Sequence, residues 1–132
     1  MGTLALDSAG RPRGKIAEGT DTLVLHAERI PAGFMKITRQ GVARFMRAYP
    51  ELQYGDATSP HIDLFNHGAH EGVWWGEDYA FSRRWLGCGG ELLIIPDLDL
   101  NHHSADRAYA GNFHNFLMRC PGGAFDPNRE AT

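Results

Sequence analysis

Two stretches of the chain repeat their apolar positions with helical period, and the segments around them read as short extended pieces. Val42, Phe45, Met46 and Tyr49 recur at i, i+3, i+4 and i+7, Thr38 stands where an N-cap belongs, and Pro50 closes the run. This spacing predicts a helix over 39–49 with one face in the core. Asp78, Phe81, Trp85 and Cys88 follow the same period at i, i+3, i+7 and i+10, and Gly89-Gly90 supplies the stop. Thr22 to His26 and Phe34 to Thr38 are apolar or β-branched runs separated by Pro31-Ala32-Gly33, which predicts two strands with a tight link. The irregular stretch 51–76 fits a hairpin with a glycine-containing turn. Glu91 to Ile95 is a continuous apolar run, expected as a strand buried on both faces and ended by Pro96. Leu98 to Leu100 then reads as a short strand that delivers Asn101-His102-His103 into a loop.

The fold class that follows is α/β: a short mixed sheet with two main amphipathic helices, the second packed on the first. Residues 1–21, rich in Gly, Pro and small polar residues, read as a flexible N-terminal segment in which "DSAGRPRGK" turns between two short extended pieces, 22–120 as the folded body and 121–132 as a mobile tail. In the stretch from Ser104 to Thr132, "GNFHNFLMRCPGG" reads as an amphipathic turn or two.

Composition narrows the function more than the fold. At 132 residues, the chain is expected to be a single partial domain. Its 42% hydrophobic and 22% charged residues are those of an ordinary globular protein, and a net charge of −3 gives no electrostatic reason to expect nucleic acid. No apolar run approaches membrane-spanning length and no signal segment is evident, so a cytoplasmic setting is expected. The two cysteines, Cys88 and Cys120, have neither metal-site spacing nor a disulfide framework, and are expected as free thiols.

Candidate chemistry begins at Gly76-Glu77-Asp78, where two carboxylates open the second helix. Their plainest reading is complementarity with the helix macrodipole. Just before them, Trp74-Trp75 sends two rings to opposite faces of an extended piece, so one can anchor the body while the other looks outward, free to stack on a sugar.

The stretch "GEDYAFSRRW", followed by "GGELLIIPDLDLNHH" and preceded by "AGFMKITRQGVARFMRAYPEL", resembles the C-terminal half of GT-A-fold glycosyltransferases, bacterial and phage members in particular. The resemblance covers roughly residues 30 to 123. It rests on three motifs in order: the glycine loop Ala32-Gly33-Phe34, the acidic motif Gly76-Glu77-Asp78, and His102 after the next strand. What it implies is transfer of a sugar from a nucleotide-sugar donor to a hydroxyl acceptor. Asp78 would be the catalytic base, Glu77 its support, and Gly33, Phe34, Trp74 and Trp75 would bind substrate. His102 would ligate a divalent metal, Mn²⁺ or Mg²⁺, that steadies the leaving diphosphate. The family's nucleotide-binding half, with its Asp-any-Asp motif, has no counterpart before residue 30. The expectation is therefore an acceptor-side half, inactive alone, that works with a companion chain or an upstream half.

Two other readings stay open. One is a non-catalytic remnant whose task is docking with a partner chain. The other is an iron-dependent oxygenase, since His61-Ile62-Asp63 with the distant His102 spells a two-histidine, one-carboxylate site. That fold wants an all-β pattern, which the two helices oppose.

Overall fold

A computed structural model describes residues 3–103 and 105–111. The chain forms two compact units, one of residues 1–14 and 25–94, the other of 15–24 and the chain from 95 onward. The class is mixed α/β, with two helices and short strands. The register-defined pairings are antiparallel and fall into four small sheets.

The first unit is built on β3 (Leu23–Arg29), which runs into it from the second. β1 (Thr3–Leu4) pairs with it on one side, Leu4 opposite Ala27, and β8 (Leu92–Ile94) on the other, with Leu25 opposite Ile94. β2 (Gly14–Ile16) also joins β3, and Ala17 N–H bonds Thr22 C=O to close the link between them. The two short extended pieces expected on either side of "DSAGRPRGK" are thus β1 and β2, joined by a turn, in a segment otherwise expected to be flexible. Its turn is fastened by Asp7, whose carboxylate accepts from Ala9 N, Arg11 N and the Arg11 guanidinium and is held below its ordinary pKa, chiefly by the Arg11 backbone bond.

α1 spans Arg39–Ala48, with the Thr38 side chain accepting from Gly41 N at 3.0 Å. Phe45 is fully buried, and Val42, Met46 and Tyr49 flank it half-buried, so the expected face is the one that packs. α2 spans Glu77–Gly87 and meets α1 through Phe45 and Phe81, whose rings stack with centroids 5.7 Å apart. Tyr49 Oη donates to Arg84 C=O at 2.7 Å, and burial raises the Tyr49 pKa. Ala27, Phe45, Phe81 and Leu92 form the buried cluster, with Ile30, Met35, Ile37, Phe65 and Trp85 packed around it. Gly89, at φ +78°, and Gly90 end α2: Gly90 N bonds Trp85 C=O, and a Cβ at Gly90 would collide with the Trp85 ring.

In this unit three expectations change, and a fourth changes in the other. Phe34 to Thr38 forms no strand. Ala32–Phe34 is a one-turn 3-10 helix, and the chain then runs on with Met35 and Ile37 turned to the core and Lys36 outward, an alternation without a neighbouring strand to pair with. The stretch 51–76 holds two hairpins rather than one. In β4 (Gln53–Asp56) with β5 (Ser59–Ile62), the Asp56 carboxylate accepts from Thr58 N, Thr58 Oγ1 and Ser59 N. In β6 (Gly68–His70) with β7 (Val73–Trp75), Glu71 and Gly72 carry φ of +50° and +77°, the paired left-handed turn that suits a two-residue hairpin. Finally, β8 is covered on one face only: Leu92 is buried in the core while Leu93, pointing to the opposite face, stays 40% exposed.

In the second unit, β9 (Leu100–His103) pairs with β10 (Ala108–Gly111), His102 opposite Tyr109. His102 and His103 are strand residues here, not loop residues, because the hairpin extends the pairing through them. Pro96 lies fully buried in the same unit. The expected amphipathic turns over "GNFHNFLMRCPGG" lie largely, and the tail 121–132 wholly, outside the described residues. Among the described residues, no helix is long and apolar enough to cross a membrane.

Candidate functional site

β7 runs through Gly76 directly into α2, so Trp74, Trp75, Glu77 and Asp78 are delivered together as one strand-to-helix corner. Gly76 occupies the N-cap with extended backbone (φ −67°, ψ 166°), and no side chain caps the helix. One orphan amide of the first turn is met from within the helix instead: Asp78 Oδ1 accepts from its neighbour, Tyr79 N, at 2.8 Å. Asp78 is half-buried and Glu77 exposed. One turn further on, buried Ser82 donates to Asp78 C=O at 2.9 Å and accepts from Ile30 N at 3.2 Å, which ties the base of the helix to the end of β3.

The two tryptophans separate as strand alternation requires. Trp74 is 69% exposed, with His67 tilted against it at 5.9 Å. Trp75 is half-buried. The guanidinium of Arg29 stands 5.1 Å from its ring centroid and that of Arg83 5.2 Å, while Arg29 also lies 5.7 Å from the Tyr79 ring. Trp74 is therefore the ring available to a flat ligand.

Ala32-Gly33-Phe34 follows Arg29 and Ile30 by a few residues, and both of those touch the corner, through Trp75 and Ser82. A Cβ at Gly33 would meet nothing within 4 Å, and Phe34 is 73% exposed, so this turn is open on its outer side. The glycine loop and the acidic corner thus belong to one unit. His102 belongs to the other.

Among the described residues, no three His, Cys, Asp or Glu side chains gather into a group that could hold a metal ion. Of the iron-site candidates, His61 stacks on Tyr54 at 5.1 Å with Nε2 at 3.1 Å from Ser59 Oγ, and Asp63 accepts from Asn66 Nδ2 at 2.9 Å. Both have local structural partners.

The residues that pattern reasoning missed are the arginines. Arg83-Arg84 is visible in the sequence as a basic doublet, yet the two diverge. Arg84 reaches Asn66, its Nη1 donating to the backbone carbonyl and its Nη2 to Oδ1, and burial lowers its pKa. Arg83 turns to Trp75. The doublet marks a helix with charge on two sides, but which side each serves depends on the hairpin laid across it.

No protein-family model, no curated protein and no solved structure matches this chain.

Proposed function

We propose that the chain acts on the acceptor side of a glycosyl transfer, with Asp78 as the base that takes the proton from an acceptor hydroxyl. The observation that carries the reading is the strand-to-helix corner. It sets a half-buried carboxylate, anchored through one oxygen to Tyr79 N, four residues after an exposed indole of the kind that stacks on a sugar's apolar face. As the acceptor oxygen attacks the anomeric carbon, its proton passes to Asp78, its electron pair makes the new C–O bond, and the bond to the nucleotide diphosphate breaks. Glu77, exposed in the same turn, keeps the corner acidic and supports Asp78. Trp74 and the open Gly33-Phe34 turn bind the acceptor. The donor's nucleotide is held by a companion chain or upstream half, and Mn²⁺ or Mg²⁺ at His102 belongs to that donor side by resemblance alone. The setting is cytoplasmic, which the free thiol of Cys88 fits.

The experiment is a transfer assay by mass spectrometry with panels of nucleotide sugars and saccharide acceptors. The chain is assayed alone and together with any nucleotide-sugar-binding polypeptide that an affinity pull-down with the tagged chain recovers. The chain alone should be inactive and the combination active. Asp78→Asn should then lower turnover by about 10²–10⁴-fold, the usual worth of a general base, with donor affinity nearly unchanged. Equal loss of donor binding would make Asp78 a structural residue, and turnover by the chain alone would contradict the division of labour.

A further inference from the structure

Arg29, at the end of β3, and Arg83, in the middle of α2, both aim their guanidinium groups at the Trp75 ring. Among the described residues neither has a carboxylate within ion-pairing distance, although Glu28 precedes Arg29 and Glu77 and Asp78 open the helix that carries Arg83. Two like charges drawn to one indole repel each other, and cation–π attraction offsets that only in part. The same place holds the two buried side-chain donors that lack a hydrogen-bond partner among the described residues, Trp75 Nε1 and Arg83 Nε. Buried donors are nearly always satisfied, so two orphans beside two unneutralised cations mark a place that lacks an acceptor.

We propose that this cluster is a binding site for an oxyanion, a phosphate or carboxylate group of a small ligand, held by Arg29 and Arg83 with the Trp75 Nε1–H as a third donor. Guanidinium suits the task, because its fork of N–H groups matches the oxygens of either group and charge-assisted bonds are the strong ones. Arg29 is exposed, so one side of the cluster is reachable from solvent. Bound there, the anion neutralises the paired charges and accepts from both orphans. The site goes beyond glycosyl transfer and stands whether or not Asp78 is a base, since Asp78 is none of its groups.

The test follows the indole N–H resonances of the whole chain by NMR during titration with inorganic phosphate and, separately, with D-glucuronate, at ionic strength held constant with chloride. Trp75→Phe assigns the resonance. A saturating shift of the Trp75 signal, with Trp85 unmoved, is expected in one arm or both, and the arm that saturates first tells phosphate from carboxylate. Arg29→Gln and Arg83→Gln should each weaken binding by roughly ten- to a hundredfold, while Arg47→Gln on the exposed side of α1 leaves it unchanged. Should Arg83→Gln fail to fold, Arg29→Gln decides, because that side chain is exposed. Shifts that stay linear into the millimolar range in both arms, or saturating binding that survives Arg29→Gln, would overturn the proposal.

Discussion

The two helices are nearly equal in length and pack against each other, yet they begin in opposite ways. α1 starts on Thr38, whose hydroxyl accepts from Gly41 N, and it buries one apolar face around Phe45. Each local signal in it serves stability. α2 starts on a glycine with no side-chain cap, carries two acids in its first turn, and buries Ser82 beside Phe81. Its arginines leave in different directions, one to Asn66 and one to Trp75. Glycine is an acceptable cap and acids suit a first turn, so what sets the start of α2 apart is its setting, a half-buried carboxylate four residues after an exposed tryptophan. The contrast teaches where to look: α1 carries the fully buried ring, and the corner before α2 is where the proposed chemistry would sit.

The largest effect that sharpens the contrast is Phe45→Ala. Removing a fully buried ring that touches Tyr49 and Phe81 should cost about 3–5 kcal/mol, read as a fall in the urea midpoint of the first unit. Because that approaches the whole stability of a small domain, the variant is expected to be largely unfolded at 37 °C. A loss below about 1 kcal/mol would mean that α1 is not the anchor. Next in size is Thr38→Ala, which removes the cap of α1 and should cost about 1 kcal/mol by the same measurement.

The smallest expected effect has the opposite sign. Gly76→Ser gives α2 the cap it lacks, in a place where a Cβ would meet only Asp78 Oδ1, at 4.0 Å. It should stabilise by a few tenths of a kcal/mol. A clear loss of stability would show that Gly76 is needed for the fold, and the contrast between the helix starts would then lose its functional meaning.

How much of this was legible in the sequence follows the same division. α1 could be read almost residue by residue, because its cap, its period and its terminating Pro50 are local and agree with one another. The body of α2 was equally plain from Phe81, Trp85 and Gly89-Gly90. Phe34 to Thr38 was not, since a strand needs a partner and the alternation of Met35 and Ile37 carries no information about one. The second hairpin was missed because its turn is Glu71-Gly72, where a non-glycine residue adopts positive φ. For the candidate site, the acidic corner and the split of Trp74 from Trp75 followed from chain order and strand alternation. The Arg29, Arg83 and Trp75 cluster did not, because it joins β3, α2 and β7 across more than 40 positions of sequence. His102 was expected in the loop after a strand, and neither the pairing that carries the strand through it nor the register that places it opposite Tyr109 was legible.

The most direct test of the claim that the corner before α2 is the acceptor site is a residue-by-residue map of amide and indole shifts during titration with neutral mono- and oligosaccharides. The account predicts saturating shifts at the Trp74 indole and the amides from Val73 to Tyr79, with the amides of α1 from Arg39 to Ala48 silent, and loss of all of them in Trp74→Ala. Shifts confined to other parts of the chain, or none with any saccharide in the panel, would contradict it.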